Sequence, residues 1–419
     1  MKAAQNKIGF GLALRAAAIT LAFLLFFTSS ASFAASKPLP VKDQKKHRPF
    51  KPVEVVQTVL PTQRSDIFSG RLECMASAGS AALIEASSLQ MLLAKDHSLR
   101  LPMASTTKVM TALLTLERCD LDEVIAFPKE AVGVGGSCIY AYEGEKMTIR
   151  DLLYGLMLRS GNDAAAALAI HMGGSLEGFA DIMNKRARLM GLSNSNFVSP
   201  NGLDRMGHYS SAYDLCVISA HALKNPDFKR IVSTQYYTIK TDQRKIYVKN
   251  KNSMLWDYEG CVGVKTGYTS KAGRCLIFAA ERDGMLLVGC VLNCRPMFEV
   301  AEEMLDFGFE NYEMVKAVLS GAELSRCAVL NGEQSVLTLA AKDDIVIPLR
   351  KGDELSVEVD IKLGGTVRAP IVEGERIGEC ELLIGGCPVG STELIAKESI
   401  AMRDYSFYFR ALMNLFSLR

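Results

Sequence analysis

The sequence predicts an α+β domain, an antiparallel sheet with helices, followed by a small all-β domain. Three observations carry that reading. Strand-like runs flank a helix-rich stretch, with 81–85 and 90–94 before it and 262–267, 274–281 and 285–292 after it. The last three runs form a meander, because residues 269–273 join the first pair and Asp283-Gly284, a strong hairpin signal, joins the second. Beyond about residue 312 the pattern changes to short alternating segments separated by Gly-rich turns: 335–339, 344–348, 354–361 and 378–384.

Between the flanking strands, residues 105–117 read as a helix that is apolar on most faces and therefore buried. Thr148-Ile-Arg-Asp resembles a capping box and starts a helix that runs to Arg159. Ser160-Gly161-Asn162-Asp163 interrupts it, and an Ala-rich helix follows over 164–172. Asn201-Gly202 marks a turn, and 211–223 is helical again.

Composition sets the outer limits. The chain has 419 residues, 49% hydrophobic and 22% charged, enough for one large core and a smaller domain. A net charge of +2 provides no field that would favour nucleic acid. Residues 1–35 read as a signal peptide, with Lys2, Lys7 and Arg15, an apolar run over 16–27, and Ser32 and Ala34 at the −3 and −1 positions of a cleavage site. An uncleaved anchor is the alternative, although the apolar run is short for a span; either way the chain crosses a membrane. Residues 36–64, rich in Pro and Lys, read as a flexible spacer. Folded domains are expected over 65–312 and 313–396. The eleven cysteines are scattered, odd in number and partly embedded in apolar runs, so they read as small buried hydrophobes. Their spacing suits no metal site.

Residues 397–419 close the chain as a candidate amphipathic helix. Tyr405, Tyr408, Phe409, Leu412, Met413 and Phe416 share one face; Arg403, Ser406, Arg410, Asn414 and Ser417 share the other. That pattern suits a membrane interface, while a helix packed on the β domain or on a partner is the competing reading.

Three short elements can carry chemistry. In Ser105-Thr106-Thr107-Lys108, helical spacing puts Lys108 beside the Ser105 hydroxyl, where a buried lysine held neutral can act as a base. Ser105 at a helix start would also offer free N–H groups to an oxyanion. Ser160-Gly161-Asn162 falls at a break between helices, so Ser160 can relay a proton and Asn162 can bond a substrate amide. Lys265-Thr266-Gly267 ends a strand: Lys265 and Thr266 can hold a carboxylate, and Gly267 lets another backbone approach. Each alone has an ordinary reading as a surface helix, a cap or a strand end. Together, in the order SxxK, SxN, KTG, they match the serine penicillin-recognising enzymes.

On these motifs the chain resembles the low-molecular-mass penicillin-binding proteins, the D-alanyl-D-alanine carboxypeptidases. The likeness extends to residues 101–112, to Ser160–Ala165, to Asn201-Gly202-Leu203, to His208-Tyr209-Ser210 with Asp214, and to residues 263–269. It implies a β-lactamase/transpeptidase-like catalytic domain. It also implies that Ser105 attacks the peptide bond between two D-alanines with Lys108 as base. Ser160 would pass the proton on, and the N–H groups of Ser105 and Tyr268 would form the oxyanion hole. His208 and Asp214 would support the deacylation region. The implied partners are a peptidoglycan stem peptide ending in D-Ala-D-Ala, β-lactam antibiotics, and a membrane surface reached through the terminal helix. The implied location is the outer face of the cytoplasmic membrane or the wall space, and no cofactor is implied. A class A β-lactamase would need a deacylating glutamate, and no E-x-x-L-N lies between Ser160 and Lys265. A non-catalytic penicillin sensor and an endopeptidase acting on cross-links are the remaining alternatives.

Overall fold

The computed structural model describes residues 71–354 and 356–417; the export segment and the spacer lie outside the described residues. Strands β1 (Ala78–Glu85) and β2 (Met91–Lys95) form the expected hairpin. Helix α1 (Lys108–Arg118) follows, then a small ribbon of β3 (Val124–Ala126) and β4 (Lys146–Thr148). Next come α2 (Ile149–Met157), α3 (Asn162–Gly173), α4 (Leu176–Leu189), α5 (Ala212–Leu223) and α6 (Pro226–Ser233). A second ribbon, β5 (Tyr236–Lys240) and β6 (Lys245–Lys249), leads through α7 (Met254–Asp257) into the meander. The meander is β7 (Cys261–Thr269), β8 (Gly273–Arg282) and β9 (Met285–Cys294), and α8 (Met297–Asn311) ends the domain.

The sheet order is β2-β1-β9-β8-β7, antiparallel throughout. The first strand therefore pairs with the last, Ala82 opposite Cys290 and Leu83 opposite Gly289. Strands read as nearly continuous apolar runs because both faces are covered. The period of two divides them: Ala82, Ile84, Ile277, Ala279, Val288 and Cys290 face the core shared with α1, α2, α3 and α5. Ala81, Leu83, Leu276, Phe278, Ala280 and Val291 face the core shared with α8. Each fully buried Val, Leu, Ile or Phe side chain there contributes about 1.5–3 kcal/mol of transfer free energy. The sheet is thus a rigid middle layer, and β7 is its free edge.

Local signals hold the helices. The Thr148 hydroxyl accepts the Asp151 N–H at 3.0 Å and donates to the Asp151 carboxylate at 2.7 Å, so Thr148 is the N-cap of α2, with the carboxylate taking its hydroxyl where a full capping box would take its backbone N–H. Ser175, Ser211 and Asn225 cap α4, α5 and α6 in the same way. Ten of the eleven cysteines are described and are free thiols; Cys216, Cys275 and Cys290 are fully buried as small hydrophobes.

The second domain is all-β. β10 (Tyr312–Val318) pairs with β13 (Ile345–Arg350). β11 (Glu323–Ala328), β12 (Val336–Ala341), β14 (Glu358–Leu363), β15 (Arg376–Ile384) and β16 (Cys387–Ala396) form a sheet in the order β11-β12-β16-β15-β14. Leu337, Leu339, Ile345, Ile347, Cys380, Leu382 and Leu394 fill its core. The strand expected over 354–361 begins at Glu358 instead, because Lys351 and Gly352 form a turn ahead of it. Helix α9 (Tyr405–Ser417) ends the described chain; its side chains at 411, 412 and 414–417 lie outside the described residues.

Candidate active site

Ser105 does not open an α-helix. It sits in a 3₁₀ turn, Ala104–Thr107, and α1 starts only at Lys108. Ala104 has φ +49°, which breaks any helical extension toward the N-terminus. The turn is closed by the Thr106 hydroxyl on the Met103 carbonyl at 2.6 Å and the Thr107 hydroxyl on the Ala104 carbonyl at 2.8 Å. The i, i+3 relation nevertheless holds, and Lys108 Nζ lies 3.0 Å from Ser105 Oγ.

Lys108 is fully buried. Its amine donates to Asn162 Oδ1 at 2.7 Å and to the Asn201 carbonyl at 2.6 Å. Both partners only accept, so they fix two of its hydrogens. The third direction points at Ser105 Oγ. Burial first, and then the charges of Lys265 and Lys251, hold the Lys108 amine far below the ordinary lysine range. In the neutral amine that third direction is a lone pair.

The second motif meets this group from the α2–α3 junction. Ser160 is buried with φ +64°, a conformation that costs a non-glycine residue about 1–3 kcal/mol and clusters at functional sites. Asn162 was expected to face a substrate amide. Both ends of its side chain are engaged by the protein: Oδ1 takes the Lys108 bond, and Nδ2 donates to the Gly135 carbonyl at 2.6 Å. Nδ2 carries a second hydrogen, which is the one free to reach a ligand. Asp163 accepts the N–H groups of Ile139 at 3.0 Å and Tyr140 at 2.8 Å, and so ties the 135–140 loop to the same junction.

The third motif comes from the free edge of the sheet. On β7, Gly267 passes so close to the serine turn that a Cβ there would lie 3.1 Å from the Ser105 nitrogen and the Met103 carbonyl. Lys265 is buried and donates to the Thr266 carbonyl at 2.9 Å. Burial and the neighbouring Lys251 push it down to about 7. Tyr268 is exposed, with the Arg274 guanidinium 5.9 Å from its ring centre. All eight residues picked from the motifs therefore lie on the three elements that converge at Lys108 or beside the serine turn.

The sequence reading missed Lys251, which follows β6 and donates to Ser137 Oγ at 2.8 Å. It also missed the backbone oxygen of Asn201 as a ligand of Lys108. The Asn201-Gly202 pair was a visible signal. Gly202 has φ +86°, and a Cβ there would meet the Ala104 carbonyl oxygen at 1.8 Å. Only glycine lets this loop press its carbonyl onto Lys108.

His208 and Asp214 do not touch the serine. His208 Nδ1 accepts the Val198 N–H at 3.0 Å, so Nε2 carries the proton and donates to Thr107 Oγ1 at 2.9 Å. Burial pushes this imidazole down to about 4, so it is neutral at pH 7. Asp214 accepts the Asn194 N–H at 3.0 Å and the Ser195 hydroxyl at 2.7 Å. His208 braces the 194–211 segment against the serine turn, and Asp214 braces the start of that segment against α5.

The arrangement combines a hydroxyl, a buried amine whose neutral form is favoured and neighbouring lysines beside a free strand edge. It can acylate on a serine and grip a carboxylate. A profile of the D-alanyl-D-alanine carboxypeptidases matches residues 70–295, and one of the penicillin-binding protein 5 C-terminal domain matches 312–401. The chain belongs to the D-alanyl-D-alanine carboxypeptidase family. It is 33% identical over 347 residues to the D-alanyl-D-alanine carboxypeptidase DacF of Bacillus subtilis, covering 80% of this chain and 89% of that one. It is 31% identical to DacD of Escherichia coli, over 77% of this chain and 87% of that one. Penicillin binding protein 5 of Haemophilus influenzae superposes with a TM-score of 0.64 at 29% identity, over 78% of this chain and 98% of that structure. The two matched regions coincide with the mixed α/β domain and the all-β domain of this chain.

Substituting Gly202→Ala should displace the Asn201 carbonyl from Lys108 and destabilise the fold by about 1–3 kcal/mol. Urea unfolding and the rate of labelling by a fluorescent penicillin should both fall. Full labelling at unchanged stability would refute this account of the loop.

Proposed function

We propose that the chain removes the terminal D-alanine from peptidoglycan stem peptides through an acyl-enzyme on Ser105. The observation that carries this reading is the amine of Lys108, pinned by two carbonyl acceptors so that its third direction meets the Ser105 hydroxyl. Ser105 Oγ bonds to the carbonyl carbon of the penultimate D-alanine, and its proton passes to Lys108. The N–H groups of Ser105 and Tyr268 bear the oxyanion. As the C–N bond breaks, Lys108 and Ser160 return the proton to the departing amine. Lys265 and Thr266 hold the terminal carboxylate, and Gly267 lets the peptide lie along the open edge of β7. Water then hydrolyses the ester. A penicillin offers a similar carboxylate and acylates the same oxygen, but its leaving nitrogen stays tethered and blocks the water.

The two lysines divide the work by charge. Lys108 must be neutral and Lys265 protonated, and repulsion between them favours that split. We further propose export through residues 1–35 and action at the outer face of the cytoplasmic membrane. Tyr405, Tyr408 and Phe409 are exposed on α9, which supports an interfacial helix. No helix among the described residues is long and apolar enough to cross a membrane.

Ser105→Ala should abolish both D-alanine release from a Lys-D-Ala-D-Ala peptide and covalent labelling by penicillin. Retained labelling would overturn the assignment, and labelling of the native chain without release would redirect it to cross-linked substrates. The pH profile of kcat/KM should rise as Lys108 loses its proton and fall through about 7 as Lys265 loses its own. Lys251→Met removes a like charge from both groups, so both limbs should move to higher pH; unmoved limbs would contradict the coupling. Truncation after residue 397 should release the protein from the membrane fraction, and undiminished membrane binding would exclude the helix as the anchor.

A further inference from the structure

The β5–β6 ribbon carries a surface that the mechanism does not use. Its register pairs Tyr236 with Lys249, Thr238 with Tyr247 and Lys240 with Lys245, so these side chains share one face. The opposite face is the packed one, with Ile239 and Val248 buried and the Tyr237 ring stacked on Tyr154 at 3.5 Å. The outer face holds three lysines and no carboxylate. Tyr247 is 77% exposed and Tyr236 61%. Trp256 from α7 extends it, 39% exposed, its ring edge-on to Tyr236 at 5.8 Å. Lys249 Nζ stands 4.8 Å from the Trp256 ring centre and 5.6 Å from that of Tyr236, which holds the three groups as one platform.

An exposed cluster of this kind marks a binding surface. Flat aromatic faces pack against the apolar C–H faces of pyranose rings, and the lysines attract acidic groups. Position narrows the partner. β6 continues through Asn250 into Lys251, whose amine reaches Ser137 on the 135–140 loop beside the α2–α3 junction. Lys249 and Lys251 are two residues apart, about 7 Å along an extended chain. A polymer attached to a stem peptide in the cleft would have this platform within reach.

We propose that the outer face of β5–β6, with Trp256, is a docking surface for the glycan strand of peptidoglycan. It would hold amino-sugar rings on Tyr236, Tyr247 and Trp256, and the acids of neighbouring stem peptides on Lys240, Lys245 and Lys249. This rests on the proposed carboxypeptidase function and extends it from a peptide end to a polymeric substrate.

Trp256 is the single tryptophan in the chain, so its emission reports on the surface directly. The full chain with Ser105→Ala, which cannot turn over, is titrated with soluble uncross-linked peptidoglycan strands, with a neutral N-acetylglucosamine hexamer, and with inorganic polyphosphate. The expected result is a saturable shift of Trp256 emission by the strands and a weaker one by the hexamer, with the difference between them lost at high salt. Tyr247→Ala should weaken strand binding about tenfold, the order expected for one aromatic contact. In the Ser105 background, Tyr247→Ala and Lys249→Gln should lower kcat/KM on the polymer and leave release from the short peptide unchanged. No emission change with strands, a response to polyphosphate alone, or equal loss on both substrates would overturn the proposal. Failure of the short-peptide assay in the native chain would instead count against the carboxypeptidase reading, since the titration needs no turnover.

Discussion

Two buried lysine amines with no carboxylate partner among the described residues set the terms for this domain. Lys108 and Lys265 are 0% and 1% exposed. Taking a charged amine out of water is costly, and the molecule meets the cost with carbonyl and amide oxygens and by favouring the neutral form. The groups that surround Lys108 must therefore be held rigidly. Asn162 is fixed by Gly135, and the Asn201 carbonyl is fixed by a loop that only glycine can close.

That rigidity is distributed. His208 ties the 194–211 segment to the serine turn through Thr107, and Asp214 ties its start to α5. Asp163 does the same for the 135–140 loop. Each is a buried polar group whose hydrogen bonds to backbone N–H groups and neighbouring hydroxyls order a loop from within. The strained backbone at Ala104 and Ser160 is tolerated because the three-layer core around the sheet over-determines it.

The cationic character of the site follows from the same plan. Lys251 stands near Lys265 and Lys108 and lowers the proton affinity of both, and Arg159 does the same to Lys251. The same field suits a ligand that brings its own negative charge. A ligand carboxylate would supply a counter-ion that the described residues do not, so binding and electrostatic relief would coincide.

The sequence alone determined what is local. The i, i+3 spacing of Ser105 and Lys108, the cap at Thr148, the hairpin at Asp283-Gly284 and the apolar strand runs within 262–292 are read within a few residues, because helix and strand patterns act over that range. The resemblance built on three motifs supplied the family, and the profile matches bear it out. Tertiary structure decided the rest. Helix α8 and the β5–β6 ribbon went unread, although α8 repeats its apolar side chains at Val300, Ala301, Met304 and Leu305 with helical spacing. The bonds that poise Lys108 span 54 and 93 residues, and Lys251 reaches Ser137 across 114. No period or spacing encodes such contacts. They exist because the sheet brings its first and last strands together and presses the edge of β7 against the serine turn.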